Sequence, residues 1–280
     1  MKMDRRALLA GLGGGAALAL LGAATPARAA RLGAIGLQLY TVRELFAKDP
    51  VGTLEQVAGI GYREVEFGGG GYDMMDHAML RRTMDRLKLR APSIHLSYEM
   101  LLDRFDAALK MARSLGADTI VVPFLTEEQR AATEFGRTVR NLNRFGADLH
   151  KAGVGLAYHN HEFEFTERLG GVSLFERMVN ETDPALLKVE LDIFWAVHAG
   201  EEPAALIDRL GSRLYAFHVK DRLENRGMTA VGLGTIDFAA LFGRPGAAGV
   251  RHFYVENDEA PAPYIPDITT SFQTLRALRF

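Results

Sequence analysis

From Ile35 onward the chain alternates short apolar runs with longer stretches whose apolar residues recur at helical spacing. The runs lie at 35–40, 64–67, 91–96, 119–123, 154–159, 187–192, 213–219 and 253–256. The stretches of helical period lie at 50–60, 76–87, 101–115, 127–152, 173–180, 203–210, 238–242 and 268–278. Such a rhythm argues for βα units with parallel strands rather than an antiparallel sandwich. Gly61, Gly116 and Gly153 stand at three helix-to-strand junctions, where a left-handed residue ends a helix. Eight strands, each with a following helix, predict one α/β domain over residues 31–280, a (β/α)8 barrel. The seventh connection, 220–235, is long, polar and Gly-containing, and reads either as a lid over the barrel mouth or as a plain surface loop.

Residues 1–30 have a different pattern: Lys2, Arg5 and Arg6, then an apolar stretch rich in Gly, then Ala27-Arg28-Ala29 as a small-x-small cleavage site. This is the layout of a signal peptide. The Arg5-Arg6 pair ahead of a mildly apolar core resembles a twin-arginine signal, with departures at Asp4 and Ala7. The expectation is export to the periplasm or beyond, with no stable membrane span in the mature chain. Cleavage would remove four cations and one anion, taking the net charge from -2 to near -5.

That acidic balance, without a basic run, argues against a nucleic-acid partner. Hydrophobic residues make up 48% and charged residues 24%, so the chain can bury a sizeable core and is a poor candidate for disorder. There are no cysteines, which excludes disulfides and thiolate metal ligands.

Candidate chemistry clusters where strands end. His159-Asn160-His161, Asp192, His218 and Glu256 lie at or just past the ends of the fifth to eighth runs. In a parallel barrel those ends meet at one mouth, where imidazoles and carboxylates together would hold a divalent metal. Strand alternation puts His159 and His161 on one side, and only one of them need be a ligand. Asp192 would need a cation, or a helix N-terminus to cap, to offset its burial. The structural alternative for Glu256 is a salt bridge to Arg251 or Lys220. His95 and Glu66 end the third and second runs; His95 is a candidate to orient hydroxyls or deliver a proton, and Glu66 to bind substrate. Lys220 would stabilise an enediolate or bind a substrate oxygen. Glu164, between Phe163 and Phe165, is a candidate base with a raised pKa. Trp195 would stack on a sugar ring, and His161 would contact substrate.

The strings Gly36-Leu37-Gln38-Leu39-Tyr40-Thr41, Gly61-Tyr62-Arg63-Glu64-Val65-Glu66-Phe67 and Tyr158-His159-Asn160-His161-Glu162-Phe163-Glu164-Phe165 resemble the xylose-isomerase-like TIM barrels, the sugar phosphate isomerase/epimerase superfamily. Leu191-Asp192, His218-Val219-Lys220-Asp221 and Val255-Glu256 extend the resemblance over residues 33–278. It implies one divalent ion, Mn, Zn, Co or Fe, bound by His159, Asp192, His218 and Glu256. Many members have Glu-Asn-His where this chain has His159-Asn160-His161. In those epimerases two metal-bound glutamates exchange a proton from opposite sides of the substrate carbon, and here only Glu256 remains of the pair.

The first expectation is therefore an exported, metal-dependent isomerase or epimerase that forms an enediolate on a non-phosphorylated sugar, with Glu256, Glu164, His95 and Lys220 as its catalytic groups. An alternative is a lyase or hydratase that acts on a 3-keto-glycoside by β-elimination. It would be paired with a separate sugar dehydrogenase, because this chain has no dinucleotide fingerprint. A third is a non-catalytic periplasmic carbohydrate-binding barrel. The partner in each case is a small carbohydrate, and a homo-oligomer is left open.

Overall fold

A computed structural model describes residues 30–280, so the signal peptide expected over 1–30 lies almost wholly outside the described residues. Eight strands form one parallel sheet: β1 Gly36–Gln38, β2 Glu64–Glu66, β3 Ser93–His95, β4 Thr119–Val122, β5 Gly155–His159, β6 Lys188–Asp192, β7 Leu214–Val219 and β8 His252–Val255. Neighbours run in chain order, β1 also pairs with β8, and bridges Glu64 to Arg90 and Phe67 to Ile94 close the ring between β2 and β3. Of the helices that surround it, one follows each strand: α1 Pro50–Ile60, α2 His77–Leu87, α3 Phe105–Leu115, α4 Phe135–Lys151, α5 Leu174–Glu181, α6 Pro203–Leu210, α7 Phe238–Phe242 and α8 Ile265–Ala277. This is the (β/α)8 barrel expected from the periodicity.

The helices begin where the sequence supplies caps. Asp49 accepts from Gly52 N with Pro50 in the first turn, and Asp76, Ser173 and Asp237 cap α2, α5 and α7 likewise. Gly116 ends α3 at φ 81°, a conformation that costs a residue with a Cβ. Two expected helices are each broken in two. Arg104 is non-helical between Tyr98–Asp103 and α3, and Ala131 turns extended after Glu127–Arg130, before α4 begins. The seventh connection folds back as a short hairpin, and Asp221 ties it down by accepting from the backbone N–H groups of Gly232, Gly234 and Ile236.

The two faces of each strand differ in chemistry. Val65, Ile94, Ile120, Leu156, Leu191, Phe217, Val219 and Val255 point outward and join the helices in the hydrophobic core. At roughly 25 cal/mol per Å² of apolar surface removed from water, this annulus supplies most of the driving force for folding. The alternate positions point inward, and several are polar and buried: Glu64, Glu66, Ser93, His159, Glu190, Asp192 and His218. Barrel interiors are ordinarily filled with branched aliphatics. This one trades apolar packing for a polar stack. Gly36 leaves room for the Tyr254 ring, with which a Cβ at that position would collide.

Candidate metal and substrate site

The strand ends bring His159, Asp192, His218 and Glu256 together, with one potential ligand atom from each lying within 4.8 Å of the others. His159 Nε2 is 3.8 Å from Asp192 Oδ2, and His218 Nδ1 is 2.7 Å from Glu256 Oε2. Asp192 resolves the choice between cap and cluster by doing both. Its Oδ1 accepts from Trp195 N at 2.8 Å at the start of the helix Ile193–His198, and Oδ2 faces the cluster. Asn160 fixes the junction, accepting from Asp192 N and donating to Asp192 O. His161, with its ring 4.9 Å from that of His159, is not a member of this group.

Lys220 follows two residues after His218 and shares its side of the strand. Its ammonium is 2.8 Å from Glu256 Oε2, 3.0 Å from Asp192 Oδ2 and 2.9 Å from Asp258 Oδ2. The contact with Asp192 Oδ2 lacks hydrogen-bond alignment, so that oxygen is buried without a hydrogen-bond partner, as is His159 Nδ1. The orphaned Asp192 oxygen is an acceptor that needs a further cation or donor.

A second layer lies beneath. Glu190 Oε1 is 2.9 Å from His95 Nε2, 2.9 Å from His218 Nε2 and 3.5 Å from His159 Nδ1. Glu66 Oε2 is 2.8 Å from His218 Nε2 and 3.0 Å from His95 Nε2, and it accepts from Gln38 Nε2 at 2.9 Å. Ser93 donates to the other Glu66 oxygen. His159 and His218 thus each turn one ring nitrogen toward the outer carboxylates and the other toward Glu190. A carboxylate on the far nitrogen of an imidazole is the arrangement that orients metal-binding histidines.

Charge gives an independent test of fit. Glu66, Glu190, Asp192, Glu256 and Asp258 face a single lysine. With His95 protonated and His218 neutral, as ligation would require, three negative charges remain, of which one divalent cation would offset two. The donor set of two imidazoles and two carboxylates suits a first-row transition ion. His95, His159, Glu190 and His218 form an overlapping second group within the same 4.8 Å limit.

The electrostatics follow from burial and partners. Burial, with His218, His161 and Lys220 close by, pushes His159 well down, which favours the neutral ring that ligation requires. Burial and Lys220 lower His161 to about 3. Burial opposes a charge on His95, but Glu66 and Glu190 outweigh it and raise the ring to about 9. Against burial, Lys220 and His218 hold Glu256 well below the usual carboxylate range. Burial and the Glu256 charge lift Asp258 to about 6.

Above the cluster is a cavity of about 390 Å³, lined by His95, His159, His161, Lys220, Glu256 and Asp258, with Tyr40, Phe124 and the Gly68-Gly69 turn as its apolar and backbone walls. Five of the expected site residues therefore face it, and Asp192 and His218 lie fully buried among the same groups. Three of the expected site residues do not line this cavity. Glu164 is not among the cavity-lining residues, because Tyr158 points outward from β5 and its hydroxyl donates to Glu164, which also accepts from His161 N at 2.7 Å. It holds the turn that carries His161. Glu66 lies in the lower layer bonded to Gln38 and Ser93, and is not among the cavity-lining residues. Trp195 stands beside His161 at 5.7 Å and Lys220 at 5.8 Å between ring centroids and charge, and does not line the cavity.

Glu190 and Asp258 escaped the sequence reading. Glu190 had a signal, since it precedes Asp192 by two positions and so shares its face of β6. Asp258 lies beyond β8 in an irregular turn, where no period applies.

A family model described as xylose isomerase-like TIM barrel matches residues 54–267. The inosose dehydratase of Mesomycoplasma hyopneumoniae strain J is 24% identical over 192 residues, covering 60% of this chain and 61% of that protein. The chain therefore spans about three-fifths of that curated relative's length. A sugar phosphate isomerase/epimerase from Parabacteroides distasonis superposes with a TM-score of 0.74 at 24% identity, covering 91% of this chain and 96% of that one. The IOLI protein with a bound zinc atom superposes at 0.68 with 16% identity, over 86% and 96%. These two likenesses carry the fold. Among the described residues, no helix is long and apolar enough to cross a membrane.

Proposed function

The chain belongs to the xylose isomerase-like TIM barrel family, and from that membership and the site geometry we propose a metal-dependent lyase that removes the proton beside a keto-sugar carbonyl and expels a β-oxygen substituent. The observation that carries this reading is the asymmetry of the cavity. Of the four outer-cluster residues only His159 and Glu256 line it, so Glu256 is the single carboxylate of that set open to substrate. An exchange of one proton between two carboxylates of that set has no second partner in the lining, where the other carboxylate, Asp258, lies outside the set and is paired with Lys220. Elimination needs different groups at its two ends, a base for the C–H proton and an acid for the departing oxygen.

Glu256, kept ionised, takes the base role, and His95, kept protonated, takes the acid role. Lys220 places a fixed positive charge where oxygen acquires negative charge. His159, Asp192, His218 and Glu256 would hold the divalent ion, which when bound draws electron density from the substrate carbonyl. Tyr40, Phe124 and His161 form part of the cavity wall. The dehydratase name of the relatives supports a lyase over an isomerase, although the first step is common to both. We place the reaction outside the cytoplasm, with residues 1–30 as export signal, and take the substrate to be free of phosphate.

The test is incubation of metal-loaded protein with an inosose and with a 3-keto-glucoside in D2O. A conjugated enone with no deuterium in recovered substrate is the expected result. Deuterated, isomerised sugar without enone would replace the lyase by the isomerase, and binding without either would leave a carbohydrate-binding barrel.

A further inference from the structure

A second cavity, of about 440 Å³, opens beside the first, and His95 lines both. Its walls are built by the segment after β2, the helix Tyr98–Asp103 and one face of α3 from Ala107 to Ser114. Tyr72 and Leu96 are buried there, Met100 and Met111 complete an apolar surface, and Tyr72 is anchored by donating to the His95 carbonyl. Arg104 and Lys110 stand over this surface, both exposed, and neither has an ion-pair or side-chain hydrogen-bond partner among the described residues. Asp73 is the one acidic residue of the lining. Methionine and tyrosine around a slot of this size suit a flat aromatic ring, and two unpaired cations suit an anion attached to it.

We infer that the second cavity is the leaving-group subsite, and that the substrate is a keto-glycoside whose aromatic aglycone bears a carboxylate. This rests on the lyase reading above. The sugar sits against Glu256 and Lys220 in the first cavity, the aglycone lies against Met100 and Arg104 in the second, and the bond to be broken passes His95. Glu256 accepts the proton from the carbon beside the carbonyl. The C–H electron pair becomes the new C=C bond as the C–O bond to the aglycone breaks. The departing oxygen keeps that bond's electron pair and takes a proton from His95. The products are an unsaturated keto-sugar and a free phenol, and no oxidant or reductant is needed. The residue shared by the two cavities is thus the one that touches the leaving oxygen.

The experiment compares calorimetric binding of 4-carboxyphenyl β-D-glucoside and methyl β-D-glucoside, neither of which can eliminate, to metal-loaded wild type and to the Arg104→Ala/Lys110→Ala variant. The aryl glucoside is expected to bind roughly tenfold more tightly to wild type, and the ratio to fall to about one in the variant. Equal affinities in wild type, or a ratio that survives in the variant, overturn the inference. Turnover of the two corresponding 3-keto-glucosides reads the lyase separately. Enone from both with no aryl preference keeps the lyase and removes the subsite. An aryl preference with no enone from either removes the lyase reading and the leaving-group role with it.

Discussion

Replacing Glu190 by glutamine should weaken divalent-metal binding without unfolding the barrel. Glutamine keeps the volume and one acceptor oxygen but loses the charge, and the side chain is fully buried, so no solvent compensates. The carboxylate oxygen faces His218 Nε2 at 2.9 Å and His159 Nδ1 at 3.5 Å, on the ring nitrogens opposite those turned to the outer cluster. A hydrogen bond to a charged acceptor contributes about 1 kcal/mol more than one to a neutral acceptor. The shorter contact and a fraction of the longer one give about 1–2 kcal/mol, roughly a 5- to 30-fold loss of affinity. That overlaps the 10- to 100-fold typical of removing a carboxylate that orients a metal-binding imidazole. The assay is competition for zinc against a chromophoric chelator, with circular dichroism of the metal-free variant as the folding control. Affinity within about twofold of wild type in a folded variant would refute the argument. A loss beyond about a thousandfold would also refute it, because Glu190 would then be a ligand in the inner group of His95, His159 and His218.

Asp192→Ala and His218→Ala should each abolish the one equivalent of transition metal expected in wild type, read by elemental analysis of the purified proteins. Lys220→Met leaves Asp192, Glu256 and Asp258 facing one another without an ammonium, a loss of about 3–5 kcal/mol for a buried ion pair. Its metal-free Tm should fall, and added zinc should recover more of it than the same zinc adds to wild type; an unchanged metal-free Tm would contradict the role given to Lys220. Burial raises Glu164 to about 7, so the folded state holds a proton that the unfolded chain releases near the ordinary value of 4.5. Stability from this group is complete below about 4.5 and is lost as pH rises through about 7, by about 3 kcal/mol. Glu164→Gln should remove that slope, and parallel wild-type and variant curves in pH-dependent denaturation would show that the carboxyl does not titrate there.

The eight-strand barrel was legible because the helical and extended periods alternate in order, and each strand carries its outward apolar face in plain view. Gly116 and Gly153 could be placed at helix ends since their positive φ is a local requirement. The breaks at Arg104 and Ala131 were not legible, because no glycine or proline marks them.

What the sequence determined by itself is the set of groups that close neighbours along the chain fix: strand ends, caps, and the side of a strand on which His159, Asp192, His218 and Glu256 lie. Two-residue alternation fixes direction locally, so these four were found before the strands were assembled. What only the tertiary structure decided is which atoms meet. Glu190 reaches His95 across 95 positions of sequence and His218 on the neighbouring strand, and Asp258 reaches Lys220 from an irregular turn. Glu164, equally plausible in its string, is carried to the helix side of β5 with Tyr158. Closing the ring sets those distances, and the physical cause is that inward side chains from separated strands share one small volume in which every buried charge must find an opposite one.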